Sequence, residues 1–312
     1  MSRSPRGVAL ISILLVVVLM STLTFQVYSH QNIVTAQTRV VFEANQMRHG
    51  ILASEILAVE LLSQDWEDES SRSRDDPFEP WAREQPVLEV AVGSLQYRVL
   101  DLNNRINLNA VANKANTTAA AAFARILQDI GGSGELLAMW QDWIDTDDVR
   151  SLIGGYQGRE ELDWLGHTPS FRTPNQLASD LSELRVFTPW DMDIYRELGQ
   201  YVVVLPTTEL KINVNTAPPK VLNALLPLAA TQLSERASTR NFGSVEAFTE
   251  LYVDFESVSQ RLSVQSDFFE VRATLLGASS RMDLTSYLFR DPSTGSCHVF
   301  RRDFSTRHIW TS

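Results

Sequence analysis

The sequence predicts an α+β protein, in which a long N-terminal helix packs on a small antiparallel sheet and a large helical block interrupts the strands. Three observations carry this expectation. A helical pattern runs unbroken from Val8 to about Gln64, period-two strand patterns flank the middle of the chain, and short capped helical segments fill the space between. A chain of 312 residues accommodates about two domains, and 44% apolar content can fill their cores. The net charge of −11 excludes phosphate-backbone binding as a main task, because that binding rests on clustered Lys and Arg. The single cysteine, Cys297, forms no internal disulfide. CxxC, HExxH, P-loop, GxSxG and GxGxxG patterns are all missing, and no two of the five histidines stand at metal-ligand spacing on a helix. Enzyme activity is therefore not expected.

From Gly7 to Thr38 there is no Asp, Glu, Lys or Arg, and the apolar stretch Val8 to Leu19 is interrupted only by Ser12. About 20 residues at ~1.5 Å rise span the ~30 Å hydrocarbon layer of a membrane. Arg3 and Arg6 precede the stretch, which places the N-terminus in the cytoplasm and the bulk outside. A cleaved secretory signal would end soon afterwards in an A-x-A-like site. The exit here, STLTFQVYSHQNIVTAQT, continues as helix instead. Helical patterning persists through VVFEANQMRHGILASEILAVELLSQDW, with Ile51, Leu52, Ile56, Val59, Leu61 and Leu62 predicted as an apolar face. Such a helix would be ~85 Å long, half in a membrane and half out.

EDESSRSRDDPFEPWAREQP then reads as a solvated loop. VLEVAVGSLQYRVLD predicts a hairpin, with strands near Val87–Val92 and Leu95–Asp101 around Gly93-Ser94. Helices are expected at Thr117–Ile130, stopped by Gly131-Gly132, and at Glu135–Ile144. Two more are expected at Asn175–Ser182 and Trp190–Leu198, capped by Thr173-Pro174 and Thr188-Pro189. RINLNAV at 105–111 returns as KINVNTA at 211–217, each after a strand-like run and before helices. Such units resemble SAM-like or helix-hairpin-helix modules. Between Lys211 and Arg261 the basic residues are matched by acidic ones, so no DNA-binding stripe results. DFFEVRATLLG, MDLTSYLFRD and CHVFRRDFS return to strand patterns.

Asp142, Asp145, Asp147, Asp148, Glu160, Glu161 and Asp163 crowd around a Gly-rich loop at Gly154, Gly155 and Gly158. Hard oxygen ligands on a flexible backbone suit Ca²⁺, although the spacing is not that of an EF-hand. A solvated acidic loop is the other reading of the same residues. Paired carboxylates for acid/base catalysis are disfavoured, because the cluster is local and faces no partner carboxylate across a cleft.

A short basic leader ending in glycine, before an apolar helix that runs on into a globular head, resembles type IV pilins and type II secretion pseudopilins. The insertion narrows the resemblance to the K-type minor pseudopilins. Asp142-Trp143-Ile144-Asp145-Thr146-Asp147, then Gly158-Arg159-Glu160, then Pro169 to Gln176 and Ser182-Glu183-Leu184-Arg185 follow that family's pattern, with Trp164 where Tyr is usual. The resemblance implies cleavage after Gly7 by a prepilin peptidase and N-methylation of Val8. It also implies Ca²⁺, one or two ions, on Asp142, Asp145, Asp147 and Glu160. Leu162 replaces an acidic residue, which speaks against the second ion. Most pilins carry Glu at the fifth mature position, where this chain has Ser12. The K type lacks that Glu, as befits a tip subunit with no subunit ahead of it.

The resemblance further implies a place at the pseudopilus tip, with minor pseudopilins of types I, J and H, exported substrates and the secretin as partners. It implies a single-pass inner-membrane protein with a periplasmic head. The corresponding division of the chain is leader 1–7, transmembrane helix 8–28, periplasmic helix 29–65 and first sheet part 66–107. The helical insertion follows at 108–206, a second SAM-like module at 207–265 and the closing strands at 266–312. The competing reading is a single-span or secreted periplasmic binding protein or enzyme.

Overall fold

The computed structural model describes residues 6–113, 116–187, 192–227, 229–278 and 280–304. Helix α1 spans Arg6–Glu67 without a break, and among the described residues it is long and apolar enough to cross a membrane. Its N-terminal part stands clear of the core formed by the described residues: Leu14, Phe25, Val40 and Phe42 are all exposed. Burial starts at Met47 and continues through Ile51, Ala58 and Leu62, the repeat of one face of a helix. Ile56, predicted on that face, instead points away and is 72% exposed. Five residues from Ile51 carry it about 140° around the axis, at ~100° per residue.

The partner of that face is a five-stranded antiparallel sheet assembled from both ends of the chain. Strands β1 (Leu88–Val90) and β2 (Gly93–Asp101) form the predicted hairpin, with Val90 opposite Gly93. The turn falls at Ala91-Val92 rather than Gly93-Ser94, because Gly93 is already in the strand with φ +147°. A side chain there would meet the carbonyl of Leu276.

The chain then leaves the sheet through β3 (Ile106–Asn107), α2 (Leu108–Ala112), α3 (Thr117–Asp129) and α4 (Glu135–Ile144). Next come a hairpin of β4 (Leu152–Ile153) and β5 (Tyr156–Gln157), one turn α5 (Glu161–Trp164), α6 (Met192–Leu198) and β6 (Val202–Val203). A second unit follows: β7 (Ile212–Asn213), α7 (Pro219–Leu225), α8 (Val245–Leu251) and β8 (Leu262–Ser263). The chain finally re-enters the sheet as β9 (Phe268–Leu276), β10 (Arg281–Arg290) and β11 (Cys297–Asp303), in spatial order β1-β2-β9-β10-β11. Leu95, Val99, Val271, Leu275, Leu284 and Leu288 lay their apolar side on α1. Inside this interface Glu55 accepts from Arg302 at 2.7 and 2.8 Å and from Ser286 at 2.5 Å, so its buried charge is paired.

The echoed motifs have the same job in both copies. Ile106-Asn107 pairs in parallel with Val202-Val203, and Ile212-Asn213 pairs in parallel with Leu262-Ser263. The first Asn of each turns the chain, as Asn107 and Asn213 accept from the backbone N–H of Asn109 and Asn215. The second Asn clasps a distant backbone residue. Asn109 exchanges two 2.9 Å bonds with Ala178, and Asn215 bonds Phe242 at 2.7 and 3.0 Å. Asn109→Ala leaves buried backbone groups unsatisfied and is expected to cost about 1–3 kcal/mol of unfolding free energy, read by urea titration.

The same clasp explains one departure from the sequence expectation. Residues 175–180 are not helical, because Ala178 is held out by Asn109 and Asn175 adopts φ +44°. The helical turn starts only at Leu181, a 3-10 segment to Val186 capped by Asp180 and Glu183 rather than by Thr173-Pro174. The predicted Thr188-Pro189 cap and Trp190 lie outside the described residues. Trp140, Phe123, Phe187, Leu222 and Phe248 belong to one core shared by the two helical units.

The charged stretch read as a solvated loop is another departure. Asp75, Asp76, Glu79 and Trp81 within it are all buried. Arg290, from the end of β10, reaches them with bonds of 2.5–2.6 Å to Asp75, a partner no local pattern reveals.

Candidate metal centre

Helix α4 ends at Asp145, whose backbone N–H caps Gln141 while its own conformation turns extended. The chain then makes a tight excursion back to the helix. Gly154 and Gly155 have φ +59° and +86°, the left-handed pair a two-residue hairpin turn requires, and they join β4 to β5. The excursion is tied down by Asp142, whose carboxylate accepts from Ser151 N at 2.9 and 3.2 Å. Gly158 passes so close to this carboxylate that a Cβ would lie 2.0 Å from Asp142 Oδ2. Only glycine permits that approach.

The return places Glu160 opposite the end of α4. Asp145, Asp147 and Glu160 each offer a carboxylate oxygen, and these oxygens lie within 4.8 Å of one another. Glu160 is buried, Asp145 half-buried and Asp147 exposed, so the trio opens to solvent on one side. Neither carboxylate oxygen of Glu160 accepts a hydrogen bond, and both are buried. Burial, followed by the negative charge of Asp142, Asp145, Asp147 and Asp148, pushes the Glu160 carboxyl from 4.5 up to about 7.

The donor set fits a hard divalent cation. Oxygens up to 4.8 Å apart can share one ion at ~2.3–2.6 Å, and three carboxylates with an open side leave room for backbone carbonyls and water. Four residues were expected as ligands; the geometry brings together three. Asp142 stands beside them and spends both oxygens on the loop backbone, although its charge still acts on Glu160.

Neighbouring acidic residues are otherwise engaged. Asp163 accepts from Glu160 N at 3.0 Å and pairs with Arg150 at 2.5 Å, and Glu161 pairs with Arg172 at 3.5 Å. Beneath the trio, buried Trp164 stacks on Phe171 at 5.2 Å and meets Trp143 edge-on at 6.3 Å, which anchors the loop to the core.

Because the folded state raises the Glu160 pKa, the metal-free folded chain binds that proton more tightly than the unfolded chain. Its stability is therefore expected to fall as pH rises from about 4.5 to about 7. Thermal melts in chelator across that range should show the decline, and it should be weaker in Glu160→Gln.

A second buried trio escaped the sequence reading: Asp65, Asp75 and Glu79, also within 4.8 Å. They lie no further apart along the chain than the first trio, but in a charged stretch read as solvated, because its burying partner Arg290 is distant in sequence. The one legible hint was an Asp-Asp pair and a Pro-flanked Trp in a stretch otherwise polar.

Comparison with known proteins gives a consistent result. The family model "Type II secretion system (T2SS), protein K" matches residues 104–207, which hold the first helical unit and the acidic loop. Type II secretion system protein K of Klebsiella pneumoniae is 28% identical, over 94% of this chain and 95% of its own. The corresponding protein of Pseudomonas aeruginosa is 29% identical, over 97% of this chain and 94% of its own. Among solved structures, a chain in the crystal structure of the GspK–GspI–GspJ complex from the enterotoxigenic Escherichia coli type 2 secretion system superposes with a TM-score of 0.74. It is 23% identical and is covered over 99% of its length, with 86% of this chain aligned, so the fold is shared.

Proposed function

This chain belongs to the type II secretion system protein K family, and from that premise we propose that it is the minor pseudopilin at the tip of the pseudopilus, where it supports the start of assembly and protein export across the outer membrane. The observation that carries this reading is helix α1. Its apolar N-terminal part is fully outside the protein's own core, while its C-terminal part is built into the head. A helix so divided is suited to leave a membrane and pack beside other helices of its kind.

In this reading a prepilin peptidase cuts after Gly7 and Val8 becomes the methylated N-terminus. Until assembly the protein is held in the inner membrane by one span, with its head in the periplasm. Ser12 offers no charge to a subunit ahead, which suits the terminal position. The helix packs with those of the I- and J-type minor pseudopilins, and with the H type below. The head faces the secretin and exported substrates. The role is one of assembly by non-covalent contact and not of catalysis. Asp145, Asp147 and Glu160 hold one Ca²⁺, which supplies the positive charge that lets the three carboxylates converge and pins the 145–160 loop to α4.

N-terminal sequencing and mass spectrometry of the protein from its host test the processing. The expected chain starts at N-methyl-Val8. A start near residue 37, or an intact Met1, would reject the pseudopilin reading. Co-purification of the I- and J-type subunits with the wild-type chain, lost when the helix is removed, is the matching test of partnership.

A further inference from the structure

The geometry points to a second cation site, remote from the 145–160 loop, in which Asp65 and Glu79 with Asp75 behind them take a hard divalent cation such as Ca²⁺ or Mg²⁺ at the foot of α1. The three carboxylates come from the last turn of α1 and from the segment that follows it, and their oxygens lie within 4.8 Å. Two of these oxygens are unsatisfied. Asp65 Oδ2 accepts from Arg290 at 3.1 Å, and Glu79 Oε2 accepts from Trp81 Nε1 at 2.7 Å and from Asp76 N at 3.2 Å. Asp65 Oδ1 and Glu79 Oε1 are fully buried and accept nothing, and both residues are 94% buried (6% exposed). Asp75 is already engaged, by Arg290 on both oxygens and by Ser266 N at 2.7 Å.

Charge points the same way. Three carboxylates face one guanidinium, so the ionised cluster carries a formal excess of two negative charges, which one divalent cation neutralises. Buried acceptors without donors are costly, and more so when two like charges share the space. Access exists: Asp65 and Glu79 border a cavity of about 480 Å³, whose wall also includes Asp68, Ser70, Asp76 and Asn241. Water in that cavity can complete the six to eight oxygens a calcium ion takes, or the six of magnesium.

The position gives the ion a mechanical role. Asn213 donates to the Asp75 carbonyl at 3.0 Å and to Asp101 at 3.2 Å, so the segment held by the ion is also the seat of the second helical unit. A cation there would lock the end of α1, the closing strands and the helical head into one body.

The test uses the full-length chain in detergent. Asp145→Asn with Glu160→Gln serves as background, so that the outcome is independent of the calcium proposed above. Equilibrium dialysis against Ca²⁺ with metal counting, and Tb³⁺ luminescence sensitised by Trp81, are the readouts. One bound ion per chain is expected in the background protein. Adding Glu79→Gln should lower that number to none and abolish the luminescence, while Trp81→Phe should dim the luminescence and keep the ion. Asp65→Asn, which retains an oxygen for Arg290, serves as the second variant should Glu79→Gln fail to fold. The site is overturned if the background protein takes up no ion at 1 mM free Ca²⁺, or if Glu79→Gln or Asp65→Asn leaves uptake unchanged. It is equally overturned if Glu79→Gln raises the melting temperature irrespective of cation, which would identify a proton held between the two carboxyls.

Discussion

Replacing Arg290 by methionine is expected to lower the unfolding free energy by about 3–5 kcal/mol, the cost of leaving one side of a buried charge cluster unpaired. Arg290 is buried, bonds Asp75 through 2.5 and 2.6 Å contacts, reaches Asp65 at 3.1 Å, and donates to the Ser266 carbonyl at 3.0 Å. Its guanidinium also lies 4.8 Å from the ring centre of Phe269. Methionine fills the volume but leaves Asp75, with no exposure of its own, facing Asp65 and Glu79. Since Asp65 lies on α1 and Arg290 ends β10, the loss should loosen the helix from the sheet. Urea denaturation gives the magnitude. Hydrogen exchange over residues 60–80 gives the place, with faster exchange there than in α4 expected. An exchange pattern equal to wild type would refute the clasp.

Removing the carboxylates proposed to hold Ca²⁺ in the acidic loop should have the second large effect. At a free Ca²⁺ concentration a hundredfold above the dissociation constant, one site contributes about 2.7 kcal/mol. In the wild-type chain Ca²⁺ is expected to slow hydrogen exchange across residues 145–165. Asp145→Asn with Glu160→Gln should lose that protection and about 2.7 kcal/mol of the calcium-dependent stabilisation. Low pH works in the same direction, because the Glu160 proton, held up to about pH 7, competes with the ion. The protection should therefore be stronger at pH 8 than at pH 6. Identical exchange with and without Ca²⁺ would remove the metal from the mechanism and leave a solvated acidic loop.

Where residues near in sequence decide the outcome, the reading from sequence and the structure agree closely. The length of α1 follows from a pattern in which no residue breaks the helix, and Glu135–Ile144 is helical over the same ten residues expected. The acidic cluster at 142–163 was legible as residues crowded around a glycine-rich loop, and its reading as a ligand set came from the family resemblance. The geometry adds that a helix end and a glycine hairpin bring Asp145, Asp147 and Glu160 together. Disagreements appear where a distant group overrides local preference. Ala178 is held in the side chain of Asn109, so the helix expected at Asn175–Ser182 does not form.

The sequence by itself thus determined the local elements, and pointed to the class of the protein through the resemblance those residues bear to a known family. An apolar stretch without charge, a glycine before it, a neutral Ser12 and an acidic glycine loop are all local facts, governed by hydrophobicity, helix propensity and chain geometry. The predicted face of α1 is the one that packs on the sheet, Ile56 apart; only the tertiary structure decided that the charged segment after it is interior. Burying Asp65, Asp75 and Glu79 requires Arg290 from more than two hundred residues further along the chain, and electrostatic compensation over that separation leaves no periodicity to read.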